Sequence, residues 1–261
     1  MTPETPITEV PVAAPPPGPG WNIFDVIFVV LFGIASFVFA TSVTLALIHF
    51  IPSLKYLDPS ELVTNPMLAV PVQAAAYLLA FTFTRMFITL RARQDFWVAV
   101  KWNFPRTKEA FTFAFAGVVL ALASQMVSHF LPVPKSLPID RYFTQSSYAY
   151  LMLAFGILVA PIIEELLFRG LIFPVAERSM GLVAGAIITS LFFALLHQGQ
   201  LAHAWAPLLL LFAVGMVLTL VRALANSVAA SWIVHLTYNA TLFGLLLFAT
   251  GGFRHMEHLA P

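Results

Sequence analysis

Two adjacent carboxylates, Glu164 and Glu165, stand in a stretch that is otherwise almost wholly apolar, from Tyr148 through Phe155 and Ile163 to Leu171 and Phe173. An ionisable side chain at membrane depth is costly, by about 2.5 to 3.5 kcal/mol on insertion scales, so such groups face a polar interior and take part in function. Arg169 follows four residues after Glu165. At about 100° per residue the two lie about 40° apart on one helix face, where a carboxylate and a guanidinium pair. Glu164 points about 140° away from Arg169. It is therefore the acid left free to act as a general base on a water molecule.

Two later clusters repeat the four-residue spacing: Phe193 with His197, and His235 with Asn239. An imidazole and a carboxamide one turn apart present donors in one direction, which suits a developing oxyanion. His197 would share a water with Glu164. Singly, each cluster has a plainer use: an ion-pair knot between helices, a polar residue at a helix end, an interhelical hydrogen bond, and, for Phe193, packing. Depth favours the joint reading. Counting from the helix ends puts Glu164 roughly 20 Å, His197 roughly 24 Å and His235 roughly 14 Å into the bilayer, close enough for side chains of neighbouring spans to meet.

The elements that must carry these residues follow from composition. The chain has 261 residues, 60% hydrophobic and 10% charged, with a mean hydropathy of +0.89; soluble domains are about 45 to 50% apolar. It reads as an all-α, polytopic transmembrane helical bundle. Apolar runs long enough to cross occur at approximately 23–51, 66–90, 108–131, 148–176, 181–197, 205–222 and 226–250,. That makes about seven spans, with room for an eighth short or re-entrant segment near Leu201 to Pro207 or between Asn226 and Ser231. Residues 21–252 form one bundle. Residues 1–20, rich in proline and without a basic start or a small-residue cleavage site, read as a disordered tail and not a signal peptide; residues 253–261 read as a short C-terminal tail.

Arg91, Arg93, Lys101, Arg106, Lys108, Arg178 and Arg222 collect on one side, against Lys55, Lys135, Arg141 and Arg254 on the other. The first side is expected to be cytoplasmic, with the N-terminus inside and the C-terminus outside. Arg91 to Lys108, with Phe96, Trp97 and Trp102, reads as an amphipathic element at that interface. Tail composition and the lack of targeting signals point to a multi-pass protein of a bacterial inner membrane.

Other chemistries are set aside. The absence of cysteine removes disulfides, thiolate ligands and a cysteine nucleophile,, and a formal net charge of +1 gives no footprint for nucleic acid,. There is no His-Glu-x-x-His, no Gly-x-Ser-x-Gly and no phosphate-binding glycine loop. His49 and His129 sit near span ends, His203, His255 and His258 in loops or the tail, and Gly181 with Gly185 forms a small-residue packing pair. The expected partners are the lipid bilayer and a membrane-associated peptide or protein substrate; the sequence leaves the oligomeric state open.

Glu164-Glu165 with Arg169, Phe193 with His197, and His235 with Asn239, in that order, resemble the three signature motifs of the CPBP family. These are the CAAX proteases and bacteriocin-processing enzymes, also called Abi or Rce1-like intramembrane proteases. The resemblance spans about 148–245. It implies peptide-bond hydrolysis within the membrane by a glutamate-activated water. On it, Glu164 and His197 match the residues acting on the water, His235 and Asn239 those stabilising the oxyanion, and Glu165 and Arg169 supporting positions, with Phe193 beside His197. Relatives are often called metalloproteases, and Glu164, His197 and His235 offer oxygen and nitrogen donors for Zn²⁺ or another divalent ion. Glu165 is taken by Arg169 and asparagine is a poor zinc ligand, so the metal-free mechanism is preferred. The rivals are a non-catalytic immunity or scaffold protein of the same fold, and a proton-coupled transporter using Glu164, His197 and His235 as a relay.

Overall fold

The computed structural model describes residues 19–51, 56, 58, 60, 65–134, 136–143 and 145–254. The tail readings for residues 1–18 and 255–261, and the loop charges Lys55 and Lys135, lie outside them. Every regular element among the described residues is helical: α1 (Ile23–Ile48), α2 (Pro66–Ala92), α3 (Phe96–Ala99), α4 (Thr107–Ser128), α5 (Ser146–Ala154), α6 (Ala160–Glu165), α7 (Phe173–Leu196), α8 (Trp205–Ala225) and α9 (Val228–Ala249). A 3₁₀ turn, Pro138–Phe143, precedes α5, and π-helical stretches Phe155–Val159 and Leu166–Ile172 join α5 to α6 and α6 to α7.

Local chemistry sets the ends. Asn22 caps α1 by accepting from the Phe24 and Asp25 amides, while Asp25 returns a bond to the Asn22 amide. Pro66 opens α2 behind the Asn65 cap, Asp95 caps α3, and Ser227 caps α9. Asn226 closes α8 in the left-handed region at φ 50°, a conformation asparagine tolerates. Asn226 and Ser227 therefore make a tight link, and residues 198–203 form turns; neither holds an eighth span.

Among the described residues, six helical stretches are long and apolar enough to cross a membrane, and the fourth, Ser146–Leu196, runs for 51 residues. As a straight rod it would measure about 77 Å, more than twice the hydrocarbon thickness. It reverses at Gly181, whose φ of 82° and ψ of 169° break the helix. Phe193 consequently returns to within 5.3 Å of Phe168, ring to ring. The 51 residues thus make two passes, and the bundle makes seven, with the turn where the expected fourth and fifth spans divide.

Lipid offers helices no hydrophobic reason to associate, so close approach and polar contacts must hold the bundle. Gly117 supplies the closest approach: any side chain there would overlap Thr237 Oγ1 and the Val234 carbonyl of α9. Around it Ala121, Val214, Leu218, Val234 and Tyr238 join α4, α8 and α9. A second core gathers Trp21, Val26, Ile88, Phe96, Val100, Leu166 and Leu171. The Arg91 to Lys108 segment contributes to it directly: Phe96 and Val100 are buried, so this stretch plugs one end of the bundle as well as carrying its charges. Arg91 and Arg222 are helical, not loop, residues. Arg91 makes a two-pronged pair with Asp25 at 3.0 and 2.9 Å, joining α1 to α2. Phe24, Phe111, Phe115, Leu224 and Phe248 are exposed, as a lipid-facing surface requires.

Candidate active site

The site forms where α6, the Leu166–Ile172 stretch, α7, α8 and α9 converge. Glu165 is fully buried. Its Oε1 accepts from Arg169 Nη1 at 3.0 Å and from His235 Nδ1 at 2.9 Å, and its Oε2 accepts from the Ser231 hydroxyl. Arg169 is as deeply enclosed: Nε donates to Thr219 Oγ1 at 3.3 Å, Nη2 to the Gly215 carbonyl at 3.0 Å, and the guanidinium lies 4.6 Å from the centroid of the Phe193 ring. A buried ion pair survives desolvation only when such further bonds satisfy it. The pairing expected from the four-residue spacing is therefore present, although a π turn, closing on i→i+5, carries it.

Glu164 is the opposite case. One carboxylate oxygen lies 3.8 Å from His197 Nε2 and the other 3.7 Å from His235 Nε2, with the side chain 15% exposed. Neither distance is a direct hydrogen bond. A water about 2.8 Å from both atoms of either pair would bridge it. The rings are fixed from behind: His197 Nδ1 donates to the Phe193 carbonyl at 2.8 Å, and His235 Nδ1 to Glu165. Because a carbonyl and a carboxylate only accept, both Nδ1 atoms carry hydrogens and both Nε2 atoms are turned to Glu164. Phe193 sits between the rings, 5.0 Å from His197 and 5.9 Å from His235.

Residues 146–241 match the family described as type II CAAX prenyl endopeptidase Rce1-like. The match covers 96 of the chain's 261 residues. No curated protein and no solved structure gives a significant match to the chain. The Rce1-like segment covers α5 to most of α9 and contains Glu164, Glu165, Arg169, Phe193, His197, His235 and Asn239.

Within the Rce1-like segment, two prolines explain the helix irregularities. A π turn bonds the amide of residue i+5 to the carbonyl of residue i, and proline has no amide hydrogen. Pro161 therefore leaves the Gly156 carbonyl without its π partner, and Pro174 does the same to Arg169. Remote side chains fill both places: Asn239 Nδ2 donates to Gly156 at 2.7 Å, and Arg222 Nε to Arg169 at 3.2 Å. Trp21 Nε1 adds a third such bond, to the Leu171 carbonyl at 3.1 Å. Asn239 is thus tied by one amide hydrogen to the helix that carries Glu164, while its other hydrogen is not used in this bond.

Sequence reasoning missed Ser231, Thr219, Gly215, Arg222 and Trp21 as supports of this site. Only Arg222 left a signal, through Pro174: a proline inside an apolar helix demands a remote donor. His49 and His129 cap helices and His203 lies in a turn, apart from the site; His255 and His258 lie outside the described residues. As to a metal, three Glu165 contacts consume that carboxylate, and among the described residues no three His, Asp or Glu side chains are grouped to hold an ion.

Proposed function

We propose that the chain is an intramembrane endopeptidase in which Glu164 deprotonates a water for attack on a peptide carbonyl held in the bundle. The observation that carries this reading is the Glu164 carboxylate facing the Nε2 atoms of two separately anchored imidazoles, at 3.8 and 3.7 Å. His197 orients the water beside Glu164. As the water oxygen bonds to the carbonyl carbon, its proton passes to Glu164 and the carbonyl oxygen becomes an oxyanion. His235 meets that charge through Nε2–H. Since Nδ1 already gives its hydrogen to Glu165, this contact requires a second ring hydrogen, on Nε2,. The free amide hydrogen of Asn239 is the second donor. Glu164 then returns the proton to the leaving amine as the C–N bond breaks.

The substrate is a membrane-associated peptide or protein. The arginine- and lysine-rich end of the bundle faces the cytoplasm, which puts the N-terminus inside, and the host membrane is a bacterial inner membrane. A family match over residues 146–241, which carry all three motifs, supports the protease reading over the scaffold and the transporter alternatives. The test is cleavage of a panel of quenched fluorogenic peptides, a prenylated CAAX peptide among them, by protein in liposomes. Wild type cleaves and Glu164→Gln does not; a wild type inert on the whole panel, or an equally active variant, overturns the proposal. The reaction is metal-free, so dialysis against a chelator leaves the rate unchanged. Loss restored by Zn²⁺ would replace that mechanism.

A further inference from the structure

The N-terminal half, which bears none of the three motifs, also reaches the site. α2 packs against α5, and the Tyr77 ring of α2 stacks on Phe155 with centroids 5.9 Å apart and planes 18° from parallel. Phe155 opens the π stretch whose next residue, Gly156, takes the Asn239 amide. Tyr77 therefore stands at the same turn as the tie between α9 and the Glu164 helix.

The hydroxyl is also aimed. Gln73 Nε2, one turn earlier on α2, is 2.8 Å from the Tyr77 oxygen. An amide nitrogen only donates, so the phenol oxygen accepts there and keeps its own hydrogen. Among the described residues no acceptor takes that hydrogen. A half-buried phenol, oriented by one bond and stacked by its ring, thus presents an unused donor beside a site whose Asn239 has already committed one of its own.

We propose that Tyr77 is a catalytic hydrogen-bond donor of the N-terminal half, giving its O–H to the carbonyl oxygen of the scissile bond as negative charge develops there, with Gln73 as its positioning residue. The proposal rests on the endopeptidase reading. No proton is transferred; the bond strengthens as the oxyanion forms, so it acts on kcat more than on KM.

The test compares Tyr77→Phe, which keeps the stacked ring, with wild type and Glu164→Gln on whichever panel peptide wild type cleaves. Tyr77→Phe should lower kcat by about 10²-fold, the size expected for one lost oxyanion donor, with KM and Tm unchanged. Gln73→Leu, which leaves the hydroxyl in place but unaimed, should lower kcat less, and decides the matter if Tyr77→Phe does not fold. Wild-type kcat in a folded Tyr77→Phe, or in Gln73→Leu when that is the deciding variant, overturns the role of Tyr77 while leaving the protease reading intact. A loss in KM or Tm with kcat kept also overturns it, since a packing role would do that. Full activity of Glu164→Gln would instead remove the reading on which the proposal stands.

Discussion

Glu164 and Glu165 are neighbours in sequence and occupy opposite kinds of place. Glu165 is fully enclosed, with Arg169, His235 and Ser231 all bonded to its two oxygens. Glu164 is partly open, with two imidazole nitrogens near it and neither within direct bonding distance. One carboxylate is held still by everything around it, while the other is surrounded by held groups and left room. The difference leaves one carboxylate bound into the structure and, under the proposed function, the other free for chemistry. The enclosed acid fixes the ring that faces the open acid.

Removing the charge of the open acid should have the largest effect. Glu164→Gln is expected to lower the cleavage rate by about 10⁴-fold, at the upper end for a general base, with an unchanged thermal unfolding midpoint in detergent. A variant that unfolded instead would erase the contrast. On the enclosed side the effect should appear in stability. Arg169→Met strands a buried carboxylate and should destabilise by about 3 to 5 kcal/mol, read by thermal or denaturant unfolding. Adding Glu165→Gln to it should recover part of the loss, because the uncompensated charge is then gone; a strictly additive double variant would show that the pair does not act as a unit. The mildest change is Ser231→Ala, which removes one donor to Glu165 and should lower stability by about 1 to 2 kcal/mol. An effect on cleavage far beyond that stability loss would extend the chemically active region to Ser231.

Much of this contrast was legible in the residue pattern. The Glu165–Arg169 pair, the turning away of Glu164, the meeting of His197 and His235 near it, and the helical bundle all follow from apolar runs interrupted at four-residue spacing. The supports did not. Ser231 reads as an ordinary residue in the first turn of a helix, and Trp21 as an interfacial aromatic before a span; nothing local ties either to residues more than sixty positions away. Periodicity at 100° per residue also presupposes an α-helix, so it cannot show the two π stretches. Pro161 and Pro174 were the visible marks of those stretches, yet the donors that answer them come from α8 and α9. Arg222 illustrates the consequence: counted as a loop charge, it is a buried residue of the last turn of α8, with its Nε on the Arg169 carbonyl.

The two proline-vacated carbonyls tie the order of synthesis to competence. The helix carrying Glu164 emerges with those oxygens unanswered, and the groups that answer them arrive only with the last two crossings. His235 comes on the final one as well. A ribosome-bound chain that has inserted everything through α8 therefore has its acid but lacks both the second imidazole and the brace at Gly156. The full arrangement around Glu164 exists only once the final crossing has packed.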